Sequence, residues 1–510
     1  MLTTPRRRRA TTLAGAFLAL GAATPDLGAQ TQAATLPPAL RAEVQRLVDS
    51  ARVPSVTIAV ARNGTVLWED AFGYADLEHQ VPATPTTLYS LASISKPFTA
   101  TAVMRLVEQG RIRLDEPVNR YLGGMRLTGR ASDASGATVR RVLSHTSGLP
   151  LHYRFYYGGD TANVDIAQTI ARYGILVFPP GAVYEYSNLG FGILGDVVAQ
   201  VSGRSYESFM RDEVFRPLGL SNTTVSTGAG LTNAAVRYDD EHRAIPFYDF
   251  DHRGASAVWS SADELVRFGM FHLKERLPGT TRPIADSTID LMHRVATPGD
   301  TVRGYGLGWG IGRDLGEQLV QHTGGMPGVA TMLSLYPADS VVIVVLSNQS
   351  SGIPGRIATE LAAAVLPPRY ATALAERRAT PRTPPSPFTV PSALRGEWRG
   401  TVTTYDGKLS MAIRADSARV LVQWGTASAP WVALDNASFR SDLLGGSFAG
   451  TMPTDDARRV AHVIGIHLLV RGDTMRGWAA AEARTETNDY SLSAYADLTR
   501  TSSTASAAPQ

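Results

Sequence analysis

The chain has 510 residues, of which 44% are hydrophobic and 19% are charged, a composition typical of a globular protein with two or three domains. It has no cysteine, which excludes disulfides, thiol nucleophiles, zinc–thiolate sites and a lipidated cysteine anchor. The 49 basic residues slightly exceed the 46 acidic ones, but residues 1–29 hold four arginines and one aspartate, which leaves 45 against 45. This balance gives no electrostatic case for binding nucleic acid.

The N-terminus predicts a secretory signal peptide. Four arginines at 6–9 precede an apolar run over 13–23, and small residues follow at 28–29, which is the usual order of charged region, apolar region and cleavage site. The apolar run is too short to span a bilayer. We therefore predict a signal peptide over 1–29 and a secreted or periplasmic protein without a stable membrane anchor. An uncleaved tail is the alternative, and the oligomeric state stays open.

The next region opens and closes with predicted strands. Apolar residues alternate on both sides of Asn63-Gly64, which predicts a β-hairpin over 55–73. Near the far end, residues 329–336 alternate and residues 341–346 form a β-branched run that is typical of a buried central strand. Strands at both ends of the region favour one antiparallel sheet.

The patterns between these strands are helical. Apolar periodicity over 98–107 and 189–197 ends at Gly110 and Gly203, as helices commonly do. Residues 261–264 have the serine and glutamate of a capping box. We therefore predict an α/β (α+β) fold in which an antiparallel sheet is flanked by helices and accompanied by a helical subdomain.

The last third of the chain predicts a linker and a second domain. Residues 367–391 contain seven prolines, a density that favours a semi-rigid linker without a helix or an interior strand. Alternating segments separated by glycines then predict a small antiparallel β-barrel or sandwich over 392–500. The large region accordingly covers 36–366, and 501–510 form a polar tail.

Lysine is scarce enough to be informative. Only Lys96, Lys274 and Lys408 are lysines, and the other 46 basic residues are arginines. A lysine amine can be made to give up its proton, whereas an arginine cannot. Lys96 follows Ser93 by three residues, so at the start of a helix its amine comes within reach of the hydroxyl. On its own the spacing is a modest signal, because a capping serine beside a solvated lysine produces it too.

Three ordered motifs carry a resemblance to a known family. Ser93-Ile94-Ser95-Lys96 resembles the Ser-x-x-Lys motif of penicillin-recognising serine hydrolases. Tyr186-Ser187-Asn188 resembles their Tyr-x-Asn motif, and His322-Thr323-Gly324-Gly325 resembles their Lys-Thr-Gly element with histidine in the first place. Flanking segments such as Leu143–Leu149 are similar to those of the class C β-lactamase-related family. The resemblance extends over residues 40–365.

The resemblance implies a β-lactamase/transpeptidase-like domain over 36–366 followed by a lipocalin-like barrel. It implies an acyl-Ser93 intermediate, with Lys96 and Tyr186 sharing the movement of the serine proton and the cationic neighbour pushing the tyrosine toward phenolate. The backbone N–H groups of Ser93 and Gly325 would form the oxyanion hole. It implies a small-molecule or peptide substrate and neither a metal nor an organic cofactor. The implied substrate contacts are Asn188, His322, Thr323 and Gly324.

Several alternatives remain at this stage. A mostly neutral histidine at 322 weakens the case for efficient β-lactam hydrolysis, and if it binds a carboxylate as imidazolium, affinity should fall from about pH 6 to about pH 8. An edge histidine without a role is the alternative. The substrate is a β-lactam, an amide or an ester, and a D-Ala-D-Ala carboxypeptidase or a D-amino-acid-specific peptidase fits as well. A penicillin-binding sensor that does not turn over is the competing class. Ser144-His145 is better explained by a local turn than by a nucleophile–base pair.

Overall fold

The computed structural model describes residues 1, 33–130, 132–158, 165–381, 388–485 and 488–501. Apart from Met1, the predicted signal peptide lies outside these residues, as does most of the polar tail. The elements below belong to one compact unit, Ala34–Gln510. No helix in the described part of the chain is long and apolar enough to cross a membrane. The helices are α1 (Pro38–Ala51), α2 (Ser95–Glu108), α3 (Val139–Leu143), α4 (Ile166–Tyr173), α5 (Asn188–Ser202), α6 (Tyr206–Met210), α7 (Arg253–Ser256), α8 (Ala262–His272), α9 (Asp286–Met292), α10 (Ile353–Val365) and α11 (Pro368–Ala379).

The strands fall into two groups along the chain. The first group is β1 (Ser55–Arg62), β2 (Thr65–Asp76), β3 (Val81–Pro82), β4 (Tyr89–Ser90), β5 (Thr128–Gly129), β6 (Tyr153–Tyr157), β7 (Ile175–Leu176), β8 (Thr224–Val225), β9 (Tyr248–Phe250), β10 (Val258–Ser260), β11 (Gly304–Tyr305), β12 (Gly310–Asp314), β13 (Glu317–Met326), β14 (Val329–Tyr336) and β15 (Val341–Ser347). The second group is β16 (Gly396–Thr403), β17 (Lys408–Ala415), β18 (Val420–Gly425), β19 (Trp431–Ala433), β20 (Asp435–Arg440), β21 (Leu443–Ala449), β22 (Val463–Arg471), β23 (Thr474–Thr485) and β24 (Asn488–Arg500).

The main sheet joins the two ends of the large region. Its eight antiparallel strands lie in the order β11-β12-β13-β14-β15-β1-β2-β3. β1 pairs with its hairpin partner β2 and with β15, so that Val56 lies opposite Ser347. The predicted hairpin and the single antiparallel sheet are confirmed.

The central strand β15 is buried on both faces, as its β-branched run predicts. Val341, Ile343 and Val345 pack into a core with residues of α1 and α10. The alternate residues, among them Val342 and Val344, pack on the other face into a core with residues of α2 and α8. Each such side chain contributes about 1.5–3 kcal/mol when it leaves water, so this strand holds the two helical layers together.

The predicted helices are present, but the capping box is wrong. α5 ends at Gly203, which has the left-handed φ of 70° that glycine adopts at little cost. α8 follows Ser261, whose side chain makes no capping hydrogen bond. The carboxylate of Glu264 turns away instead and accepts the backbone N–H groups of Asn222 and Thr223 at 2.9 and 2.7 Å. Glu264 therefore fixes a neighbouring loop rather than its own helix end.

The linker prediction also needs correction. Residues 368–379 form α11, which packs Tyr370 and Leu374 against the main sheet domain. Pro368 stands in the first turn, where a missing N–H costs nothing. The other prolines of this stretch, apart from Pro367, lie at 381–391, beyond the helix. The prediction was wrong because it averaged the proline density over 367–391, although the prolines stand at the start of the helix and beyond its end.

The C-terminal region forms the predicted antiparallel barrel. Its nine strands follow the order β19-β18-β17-β16-β24-β23-β22-β21-β20. The barrel packs directly on the large region, since β6 pairs with β24 and places Tyr153 opposite Ser491. Val177 and Phe178 share a small core with Trp478 of β23. The predicted fold class, a sheet-and-helix domain followed by a small β-barrel, is confirmed.

Candidate active site

Ser93 lies on a tight turn that leads into a helix. A 3-10 turn over Ala92–Ile94 runs directly into α2, and Ala92 has a positive φ of 47°. β13 passes very close to this turn, because a Cβ placed on Gly324 would lie 2.1 Å from the carbonyl oxygen of Leu91. Only glycine permits that approach. The turn and the strand therefore hold each other in place around the serine.

The amine of Lys96 is fully buried against Ser93. Its Nζ lies 2.9 Å from Ser93 Oγ, 2.8 Å from Asn188 Oδ1 and 3.4 Å from the carbonyl oxygen of Ala255. The side chain has no exposed surface. Burial lowers the pKa of this amine well below its ordinary value, because a buried cation loses its hydration. No carboxylate lies among these contacts, so its surroundings favour the neutral amine.

Tyr186 and Asn188 are held in place by the start of α5 and by His145. Ser187 caps the helix, its Oγ accepting the N–H of Gly190 at 2.9 Å. The N–H of Ser187 donates to Nδ1 of His145 at 3.0 Å, and the two aromatic rings of His145 and Tyr186 are 4.4 Å apart. His145 thus positions the tyrosine segment, a role that the sequence did not reveal.

Ser144 and His145 do not form a nucleophile–base pair. The hydroxyl of Ser144 donates to the carbonyl oxygen of Arg140 at 3.0 Å and lies 2.9 Å from Oγ1 of Thr146. This is the local turn that the sequence favoured.

Tyr186 is a neutral phenol in this site. Burial raises its pKa above the ordinary range, and a hydrogen bond with Ser93 offsets this only in part. The Nζ of Lys96 lies 4.7 Å from the centre of the tyrosine ring, but a neutral amine does not stabilise a phenolate. The expectation that a cationic neighbour pushes Tyr186 toward phenolate is therefore wrong.

His322 is buried and uses both of its ring nitrogens. Its Nδ1 donates to the carbonyl oxygen of Thr323, and its Nε2 accepts from the hydroxyl of Tyr305, each at 2.7 Å. Burial lowers the pKa of His322 to about 3. The imidazolium that would bind a carboxylate is thus absent at neutral pH. We correct that expectation: His322 supports Tyr305 at the edge of the site.

The edge of β13 is open beside Ser93. β12 pairs with β13 only as far as Gln321, and beyond it Thr323 and Gly325 are exposed. A Cβ on Gly325 would meet no atom within 4 Å, so space lies directly in front of this residue. Ser93 and Gly325 border two cavities that meet here.

The two cavities have different walls. The first, of about 620 Å³, is lined by phenols, by His322 and by a charged loop: Tyr184, Tyr186, Tyr305, Asp300 and Arg303. The second, of about 360 Å³, is lined by Asn188 and His252, by Tyr153 of β6 and by Gly324 and Gly325 of β13. Arg484 and Asp489 of the barrel also line it. Thr323 borders the first cavity. All eight predicted site residues therefore lie within one constellation.

Two residues of the barrel hold Glu185, which directly precedes Tyr186, in place. The carboxylate of Glu185 is 7% exposed and accepts hydrogen bonds from Nδ1 of His467 at 2.7 Å and from Nε1 of Trp478 at 2.9 Å. Both partners come from barrel strands. No spacing in the sequence connects positions almost 300 residues apart, so this contact was not predicted.

This arrangement defines a class of protein. A buried lysine amine on a serine hydroxyl, at the start of a helix beneath an antiparallel sheet, is the site of a serine hydrolase. The family model "Beta-lactamase" matches residues 40–366, and the chain belongs to that family.

Individual proteins resemble the chain over different lengths. Penicillin-binding protein 4* of Bacillus subtilis is 28% identical over 58% of this chain and 68% of its own length. Protein flp of Staphylococcus aureus is 25% identical over 60% of the chain, which spans 62% of that relative's length. The octameric penicillin-binding protein homologue of Pyrococcus abyssi covers 89% of the chain and 99% of its own, with a TM-score of 0.55 and 23% identity. That last likeness includes the barrel and shows the fold.

Proposed function

We propose that this protein is an exported serine hydrolase that cleaves an ester or amide bond through an acyl-Ser93 intermediate. The observation that carries the proposal is the 2.9 Å contact between Ser93 Oγ, which borders both cavities, and the Nζ of the fully buried Lys96. Export is supported by the arginine-rich, then apolar N-terminus. A small molecule or a peptide fits the size of the two cavities.

Lys96 acts as the base in acylation. A neutral amine has two N–H bonds and one lone pair, and Asn188 Oδ1 and the Ala255 carbonyl accept the two N–H bonds. The lone pair is then left for the hydroxyl proton of Ser93. As the substrate carbonyl approaches, the proton passes from Oγ to Nζ while Oγ bonds to the carbonyl carbon.

Tyr186 acts as the acid that serves the leaving group. It borders the first cavity, it is protonated, and it shares a hydrogen bond with Ser93. When the bond to the leaving group breaks, the phenol donates a proton to it and takes the proton held on Lys96 in return. The N–H groups of Ser93 and Gly325 stabilise the oxyanion, a contribution worth about 3–4 kcal/mol for each donor in comparable sites.

The walls of the first cavity narrow the choice of substrate. Because His322 is neutral and fully hydrogen-bonded, the site lacks the lysine-like cation that favours β-lactams. Carboxylesters and peptide amides are accordingly the preferred candidates. Arg303 is the cation that lines this cavity, and it favours a second candidate function, removal of a D-amino acid whose free carboxylate pairs with the guanidinium.

Intact mass measurement tests the proposal. The protein is exposed briefly to an activated aryl ester and, separately, to benzylpenicillin, beside the Ser93→Ala variant. We expect an acyl adduct on the wild type alone and repeated turnover of the ester. A single acylation by penicillin without turnover of either compound would favour the sensor. Full hydrolysis by Ser93→Ala would show the proposal to be wrong.

A further inference from the structure

A second acid–base pair lies beside Ser93, formed by Asp251 and His252. Asp251 follows β9 and is 4% exposed. Its Oδ1 lies 2.8 Å from Nδ1 of His252, and its Oδ2 lies 2.8 Å from Nε2 of His152. The two histidines hold the pKa of this carboxyl far below its ordinary value despite its burial. Because an ionised carboxylate only accepts hydrogen bonds, Nδ1 of His252 carries the proton.

The other nitrogen of His252 faces the second cavity. His252 lines that cavity together with Ser93 and Asn188. Within the described residues, Nε2 of His252 has no hydrogen-bond partner. Since Nδ1 holds the proton, this Nε2 presents a lone pair. Burial lowers the pKa of His252 although Asp251 opposes this, which favours the neutral ring.

His152 is chemically similar but lies elsewhere. It shares the same carboxylate, is fully buried, and stacks on Tyr173 with ring centres 4.2 Å apart. It does not line either cavity beside Ser93. One aspartate therefore orients two imidazoles, and of the two only His252 lines a cavity beside the nucleophile.

We propose that His252 is the general base for hydrolysis of the acyl-enzyme, with Asp251 as its positioning residue. The inference rests on the acyl-Ser93 intermediate proposed above. Nε2 takes a proton from a water molecule in the second cavity while the water oxygen bonds to the acyl carbon, and the carbonyl electron pair moves onto the oxyanion. The carbonyl then re-forms, the bond from carbon to Ser93 Oγ breaks, and the proton on Nε2 returns to Oγ. One water molecule and the acyl group leave as a carboxylic acid.

The position of the other bases supports this division of labour. Tyr186 borders the first cavity, from which the leaving group departs, and it does not line the second. Nζ of Lys96 lies 2.9 Å from Ser93 Oγ, which carries the acyl group at this stage. A base oriented by a carboxylate and open to a cavity is what water activation requires.

Two matched substitutions distinguish the role of His252 from that of His152. In His252→Asn, the amide nitrogen takes the place of Nδ1 and keeps the bond to Asp251, while Nε2 is lost. In His152→Gln, the amide nitrogen takes the place of Nε2 and likewise keeps its bond. With an activated aryl ester, we expect His252→Asn to retain the acylation burst, with kcat and KM both falling about a hundredfold. His152→Gln should keep kcat within about threefold of the wild type.

A nucleophile that needs no base provides the decisive readout. Hydroxylamine should restore turnover of His252→Asn, and intact mass should show acyl-Ser93 accumulating before it is added. Circular dichroism shows whether each variant folds, and Asp251→Asn gives a second route to the same defect. A fall in kcat/KM without an acyl adduct, or an unchanged kcat, would overturn the role of His252. Absence of any adduct on the wild type would instead overturn the acyl-enzyme itself.

Discussion

The two cavities that meet at Ser93 differ in what builds them. The first is walled by residues of the segment that matches the family, with phenols, a neutral imidazole and a charged loop. The walls of the second cavity also include Arg484 and Asp489 of the barrel. Burial raises the pKa of Asp489 to about 6. Family membership thus describes the side on which we place the leaving group. The side on which we place the acyl group and water also includes residues beyond that segment.

The largest effect is expected from Lys96, the base of the acylation step. Arginine in place of Lys96 is a permanent cation that cannot give up its proton, so we expect kcat/KM for an aryl ester to fall at least a thousandfold, roughly the upper range for acid–base groups. Lys274→Arg is the matched control, because Lys274 pairs with Asp290 at 2.7 Å on the surface. More than about a tenth of the activity in Lys96→Arg would contradict the mechanism.

A change in the first cavity should depend on the leaving group. Tyr186→Phe removes the proton donor, so hydrolysis of an amide should fall by about 10² to 10⁴. An aryl ester releases a stable phenolate that needs no proton, and its loss should stay below about tenfold. Tyr184→Phe, in the same cavity, should change neither rate. Equal losses on both substrates in Tyr186→Phe would assign the tyrosine another role.

A smaller effect is expected from Glu185, through which the barrel contacts the chain segment beside the first cavity. Glu185→Gln weakens hydrogen bonds to a buried carboxylate, each worth about 1.5–3 kcal/mol, and lets the neighbouring tyrosine shift. We expect a lower Tm and an amide rate reduced about fivefold, with hydrolysis of the acyl-enzyme unchanged. Asp473→Asn removes an exposed ion pair of the barrel with Arg500 and serves as the control. A slower acyl-enzyme hydrolysis in Glu185→Gln would mean that the two sides are coupled.

The smallest effect concerns pH. The pKa of His322 lies near 3, so the ring stays neutral and KM for a carboxylate-bearing substrate should vary less than about twofold between pH 6 and 8. The acylation rate should rise with pH as Lys96 loses its proton, and this rise should lie far below the ordinary lysine range. A KM that rises from pH 6 to 8 in the wild type but stays constant in His322→Gln would show that His322 binds the carboxylate as imidazolium.

The fold was predictable where a local sequence pattern alone decides the structure. The β-branched run at 341–346 and the glycines after α2 and α5 are local signals, and they predict buried strands and helix ends wherever they occur. Glu264 and the helix at 368–379 were mispredicted because a neighbouring loop and a buried tyrosine decided those positions. Such contacts leave no periodic trace in the sequence.

The site was predictable only as far as its motifs extend. Ser93, Lys96, Tyr186 and Asn188 come together as the resemblance implies. An adjacent Asp-His pair has no diagnostic spacing, so Asp251 and His252 became visible only when the fold placed them beside the serine. Protonation states likewise depend on burial, which is why the phenolate expectation failed.

The contact between Glu185 and the barrel has a consequence for evolution and engineering. The barrel belongs to the same compact unit as the hydrolase region, and an expression fragment that stops at residue 381 would strip Glu185 of both donors and open an apolar surface at Val177 and Phe178. We therefore expect the hydrolase region of this chain to lose stability without its barrel. A chimera that exchanges the barrel would be expected to change substrate preference as well as solubility.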